Sequence, residues 1–213
     1  MYTGHARLWQ GDSVMEADSI ELLKTARTMN AVGNVRAVFP QAPRNNNSAA
    51  SVRATPPTPA AMWHTQCAKM TYWDQENRAR LEQNVVVQSA DEKINSNALD
   101  LYFTRGNAGG SGGGVQGTAP GSAASVTGAQ QIGRAVATGA VSVQQGARRA
   151  TAERGEYTAT DGKFEMSGGT PTIFDATEGT TTGRQLTFFL ADATIIVDSE
   201  NGSRTLTKHR VEK

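Results

Sequence analysis

Residues 33–39 read GNVRAVF, and residues 83–89 read QNVVVQS. Each copy places an Asn and then a Val at the head of an alternating strand, and in the first copy a Gly comes before them. A looser third copy, TGAVSVQ, occupies residues 138–144. One closed core has no use for the same phrase three times, whereas a stack of similar strands does.

Working outward, each phrase completes a two-strand unit. Residues 17–22 lead through a polar turn to 29–35, 68–72 lead to 81–87, and 98–103 lead to 136–143. Two later units, 152–157 with 164–168 and 182–188 with 194–197, follow the same plan. Units starting at Ala68 and Ala98, and at Ala152 and Thr182, are about thirty residues apart, a period typical of repeat architectures. Within each half, apolar and polar residues alternate with period two, the mark of a strand with one buried face. The turns carry Asp, Asn, Gly and Lys, as hairpin connections do. SVMEADSIELLKTART, residues 13–28, could pass for a short amphipathic helix. The strand reading is better, because Ile20 and Leu22 fill the slot that Leu99 and Leu101 fill later. The expectation is an all-β chain of roughly fourteen to sixteen short antiparallel strands.

Two stretches break the pattern. Residues 40–62 hold five of the seven prolines, and residues 105–128 hold nine of the 22 glycines. Neither has enough apolar surface to offset the entropy of ordering it. Both are expected to be disordered surface loops within a single domain spanning residues 1–213, since long insertions add little closure entropy.

Composition removes several function classes. Lys plus Arg at 21 against Asp plus Glu at 20 leaves a charge of +1, so nothing electrostatic argues for nucleic acid as a partner. Cys67 is the single cysteine, which excludes an intrachain disulfide and a multi-cysteine zinc site. A half-buried small side chain is its plainest role, because His64, three residues away along a strand, would face the other way. GGGVQG at residues 112–117 fits a dinucleotide-binding pattern by its letters, but TAPGSAAS follows and no helix can start there. The Asp91–Glu92 pair falls in a polar turn, and Tyr72, Trp73, Phe188 and Phe189 read as strand packing. Neither catalytic spacings nor clustered metal ligands stand out, so no enzyme, cofactor or metal is expected. The first residues lack a basic segment followed by an apolar one, so no signal peptide is visible.

The ordered series of turn, Ala with an acidic residue, I/L-x-L, polar turn and Gly-Asn-Val resembles the OstA-like (LptA) family of lipopolysaccharide transport proteins. The likeness is carried by residues 4–39, 70–103 and 150–200. It implies an open, twisted antiparallel β-jellyroll in the periplasm whose apolar groove sheathes the acyl chains of lipopolysaccharide (LPS). It also implies edge-to-edge joining, either to another copy or to LptC-like and LptD-like OstA domains, which would help bridge the inner and outer membranes. LptA-like, LptC-like and LptD N-terminal-like roles are covered alike. Residues 2–9 resemble the middle of a unit, so the chain is expected to be part of a longer protein.

Alternation then assigns the groove lining to Ile20, Leu22, Met29, Val35, Leu81, Val85, Val87, Leu99, Leu101, Val141, Val143, Phe164, Met166, Leu186, Phe188, Ile195 and Val197. The competing reading is a structural or assembly module, a β-solenoid or sandwich whose core is filled and takes no lipid.

Overall fold

The computed structural model describes residues 1–10, 13–40, 62–90, 92–105, 130–176, 179–189, 194–198 and 206–208. Among them lies one antiparallel sheet of 14 strands. Its first part holds β1 (Tyr2–Gln10), β2 (Ser13–Leu23), β3 (Thr28–Pro40), β4 (Met62–Trp73), β5 (Arg78–Gln88), β6 (Glu92–Arg105), β7 (Gln130–Gln145) and β8 (Arg148–Thr158). Shorter strands follow: β9 (Lys163–Ser167), β10 (Thr172–Asp175), β11 (Gly179–Thr182), β12 (Gln185–Phe189), β13 (Thr194–Asp198) and β14 (Leu206–Lys208). The strand count falls within the expectation, but many strands are not short: β7 runs for 16 residues.

Local chemistry sets the hairpins. Three four-residue turns, 24–27, 74–77 and 159–162, are built alike. In each, the last N–H donates to the first carbonyl: Arg27 to Lys24 at 3.3 Å, Asn77 to Asp74 at 3.3 Å and Gly162 to Ala159 at 3.2 Å. Each last residue is left-handed, with φ of 49°, 47° and 56° respectively. That conformation comes readily to Gly and tolerably to Asn, while Arg27 adopts it at some cost.

The repeated phrase turns out to encode a β-bulge. Gly33 and Asn34 have φ of 80° and 48°, Gln83 and Asn84 have 65° and 52°, and Gly139 and Ala140 have 75° and 49°. Gly4 and His5 form a further pair at 83° and 59°. Each pair stands opposite a single residue on the neighbouring strand: Asp18, Ala68, Asn97 or Glu153. Two residues against one is the definition of a bulge, and it bends the strand and sharpens its twist. Because every strand from β1 to β8 takes part, the bulges line up across the sheet and divide it into two leaves. The sheet therefore bends along one line without interrupting its strands, which is why they run longer than the pattern alone implies.

Side-chain parity follows from the bulge. In β3, β5 and β7 the inward positions step from Ala31 to Val35, Leu81 to Val85 and Ala137 to Val141. In β2, β4 and β6 they step from Ala17 to Ile20, Cys67 to Met70 and Ser96 to Leu99, one residue fewer. Without that shorter step every second strand would turn its apolar face outward beyond the bend.

At β8 the two leaves separate physically. Residues 148–151 pair with β10, and residues 154–158 pair with β9. Glu153 sits at the fork and donates its N–H to the Gly168 carbonyl at 3.0 Å. One arm continues through β11 to β14, the other through β12 to β13. Within the described residues, the ends of the sheet are thus β1 on one side and β13 and β14 on the other. The pairing of β3 with β4 extends to Pro40 and Met62, and that of β6 with β7 to Arg105 and Gln130. Residues 41–61 and 106–129, where the two loops are expected, lie outside the described residues.

The inward faces of both leaves make one apolar cluster running from Ala6 to Leu186. Leu81, 1% exposed, lies at its centre. Its truncation to Ala should cost about 2–5 kcal/mol, read by denaturant unfolding. The outer face is polar. Arg78 and Arg80 both bond Asp100, at 2.8 and 3.1 Å, and Arg134 and Arg154 both bond Glu156, at 2.6 and 2.9 Å. Arg78 also lies over the rings of Trp73 and Tyr102, 5.1 and 5.6 Å from their centroids.

Candidate functional site

The two leaves face each other across an apolar interior, and its residues differ in depth. Those nearest the bulge line, among them Ala31, Val35, Leu81, Val85, Val141, Met166 and Leu186, are buried. Residues farther along the strands or toward the sheet ends, Leu8, Val87, Phe103, Ile132, Val143, Phe164, Phe188, Ile195 and Val197, are only partly buried and pack on that floor. At these positions the apolar face has a less protected mouth, although Met29, Tyr72 and Ala79, at least as far from the bulges, are buried.

Most residues assigned to the groove by alternation meet here. Ile20, Met29, Val35, Leu81, Val85, Leu99, Leu101, Val141, Met166 and Leu186 belong to the buried cluster. Val87, Val143, Phe164, Phe188, Ile195 and Val197 pack against it. Leu22 differs: it shares the face of Ile20 but is 39% exposed. Pairing with β1 reaches only as far as Tyr2 opposite Ile20, so Leu22 lacks a neighbour on one side.

Other lining residues escape a hydropathy pattern. Ala17, Ala31, Ala137 and Ala152 lie beside the bulges, where small side chains let the leaves approach, and Ala79 is buried farther along β5. Met70 and Tyr72 follow the shortened step in β4, and Tyr72 packs edge-on against Phe103 with ring centroids 6.2 Å apart. Gly155 is buried too: a Cβ there would sit 3.0 Å from the Phe164 ring and 3.3 Å from Val141. The missing side chain makes room for Phe164, whose ring in turn meets Phe188 at 6.1 Å. A glycine on the inward parity of a strand is the signal that identifies it.

Cys67, Thr65 and Ser96 are among the inward residues that carry heteroatoms. Cys67 is a buried free cysteine. Burial pushes its thiol up to about 11, against backbone hydrogen bonds from Glu82 and Lys69 that act the other way. His64, on the opposite face of β4, is exposed, so it cannot serve the thiol as a base. Thr65 and Ser96 are 4% and 5% exposed. Neither hydroxyl has a hydrogen-bond partner.

On the outer face, hydrogen bonds from Arg80 and then Lys69 lower the Glu82 carboxyl below its ordinary range. Partial burial raises that of Glu156, but Arg154 and Arg134 outweigh it and the net shift is downward. These are structural ion pairs. Among the described residues no three His, Cys, Asp or Glu side chains are grouped to hold a metal ion. Among them, too, no helix is long and apolar enough to cross a membrane.

Comparison with known proteins agrees with this geometry. The sequence model of the LptA/(LptD N-terminal domain) LPS transport protein family matches residues 1–107 and again residues 64–193. Two overlapping matches are what a chain of repeated two-strand units should produce. No curated protein matches the sequence. Among solved structures, the fold is similar to that of LptH from Pseudomonas aeruginosa, the LptA homologous periplasmic component of its lipopolysaccharide transport device. That likeness has a TM-score of 0.51 at 12% identity and covers 71% of this chain and 95% of LptH. With its repeated bulges, its open bent sheet and a family match over most of its length, the chain belongs to the LptA/(LptD N-terminal domain) family of LPS transport proteins.

Proposed function

We propose that the chain is a periplasmic carrier module that holds the acyl chains of LPS between its two leaves while the sugars stay in water. The observation that carries this reading is one apolar cluster running the length of the sheet and left partly uncovered at Val87, Phe103, Val143, Phe164 and Phe188. An acyl chain entering at that mouth gains about 0.8 kcal/mol for each CH₂ it buries, so roughly ten methylenes supply about 8 kcal/mol without any specific chemistry. Among the described residues the outer edges of β1 at one end and of β13 and β14 at the other carry no further strand, which suits edge-to-edge joining with another copy or with a related OstA-like domain. Such joining would extend the groove toward a bridge between the two membranes.

A filled-core assembly module is the second reading, favoured by the near-complete burial of Leu81, Val85, Val141, Met166 and Leu186. One experiment separates the two. Val87 and Val143 both lie opposite Ile94, and Val86 faces outward next to Val87. Val87→Asp combined with Val143→Asp should abolish binding of lipid A in a co-sedimentation assay, while Val86→Asp should retain it, both variants keeping the wild-type circular dichroism. Absence of binding by the wild-type protein would favour the assembly module.

A further inference from the structure

We infer that an outer row of side chains on one leaf is a docking track for a glycan strand of the cell wall, one that bears a carboxylate-carrying substituent on every second sugar. The inference rests on the periplasmic placement proposed above and not on the groove. Cross-strand pairing puts His64 on β4, Gln88 on β5, Lys93 on β6, Gln144 on β7, Arg149 on β8 and Phe174 on β10 in one line. All of them are exposed, Phe174 to 50%. They lie on the face that Val86 shares, opposite to the apolar interior.

Charge singles out this row. On the outer face of the other leaf, Lys69, Arg78, Arg80, Arg134, Arg154 and Lys163 each meet a carboxylate. Among the described residues neither Lys93 nor Arg149 does, and Arg149 donates to the Ser142 hydroxyl at 3.4 Å. In this row and the one beside it Glu16 is the described acid, and Arg7 takes it up. The near-neutral total of the chain therefore conceals two cations free to meet a ligand's carboxylates. They sit two strands apart, roughly 10 Å. That matches the rise of one disaccharide in an extended glycan, so substituents on alternate sugars meet successive cations. Gln88 and Gln144 stand in the gaps, and an amide both donates to and accepts from sugar hydroxyls. At the end of the row Phe174 offers a ring whose negative face suits the C–H face of a sugar. A bilayer fits less well, because from His64 to Arg149 the row has no apolar side chain to bury in it.

The test sediments the full chain with isolated peptidoglycan sacculi at low ionic strength. The wild type should pellet with them, less so as salt rises, and should not pellet with sacculi whose carboxylates have been amidated. Lys93→Gln with Arg149→Gln should weaken binding about tenfold. Phe174→Ser should weaken it severalfold. Both variants should keep the wild-type thermal midpoint, because these side chains are exposed. A wild type that stays in the supernatant, or a double variant that binds as tightly, overturns the track. So does displacement by poly-glutamate as readily as by solubilised glycan fragments, or equal capture by vesicles of anionic lipid. Val87→Asp with Val143→Asp should bind sacculi like the wild type, and its release of them would place the binding in the groove and overturn the track. Sacculus binding by a wild type that takes up no lipid A would sink the groove reading and leave the track standing.

Discussion

Asn34 donates its side-chain amide to the Asp18 carboxylate at 2.9 Å, tying the two-residue side of the first internal bulge to its one-residue side. Gly33 precedes Asn34 at φ 80°, and a Cβ on it would collide with the Asp18 side chain. Gly33→Val should therefore destabilise the fold by about 2–4 kcal/mol, through left-handed strain plus this collision. Gln83 holds the same left-handed place at φ 65° but carries a side chain. Gln83→Gly should stabilise by about 0.5–1 kcal/mol, the strain relieved being partly offset by the entropy of the unfolded glycine. Urea unfolding of both variants checks the pair. Equal and opposite failure, with Gly33→Val neutral and Gln83→Gly destabilising, would show that the bulges do not set the bend.

How far the molecule could be read in advance follows from the same bulges. Alternation placed Val85, Val87, Leu99 and Leu101 on one face because each pair lies within a single leaf, where period two holds. At Ala68 and Asn97 the period slips by one residue, so alternation does not carry Ser96 onto the apolar face although its strand is legible, whereas Cys67 is legible as a small strand residue facing away from His64. Ala31 and Ala137 are illegible for a different reason: their value beside the bulges is their small size, which hydropathy does not register. Leu22 was placed on the right face, but its burial depends on how far β1 reaches alongside it. The fork at Glu153 is a matter of which arm pairs with which half of β8, and no local pattern encodes that choice.

Cys67 predicts a dependence of stability on pH. Its thiol is raised from an ordinary 9.0 to about 11 in the folded protein. For a group whose folded value is raised, the contribution is fully present below the unfolded value and is lost as pH rises through the folded one. Between about pH 9 and 11 the wild type should thus lose up to about 2 kcal/mol more stability than Cys67→Ala. Chemical denaturation of both proteins across that window gives the difference. Parallel curves would contradict the burial of the thiol.

Self-association should run through β1. Among the described residues the strand is paired only by β2, and Leu8 lies opposite Met15 in that pairing. Leu8→Pro removes one backbone donor from the strand and should weaken any concentration-dependent association while sparing the distant core. Sedimentation velocity over a wide concentration range decides it. A monomer at every concentration, with no binding to a related OstA-like domain and no effect of the substitution, would contradict the edge-joining proposal.

The most direct measurement compares adjacent positions on opposite faces. Val87 and Val143 pack against the apolar cluster, while their neighbours Val86 and Ser142 lie on the other side of the same strands. A photo-crosslinking residue at each of the four positions, irradiated in the presence of LPS, reports which face meets the lipid. The account predicts strong LPS adducts from positions 87 and 143 and few from 86 and 142. Equal labelling of the two sets, or labelling confined to the outer pair, would contradict the claim that the space between the leaves carries the acyl chains.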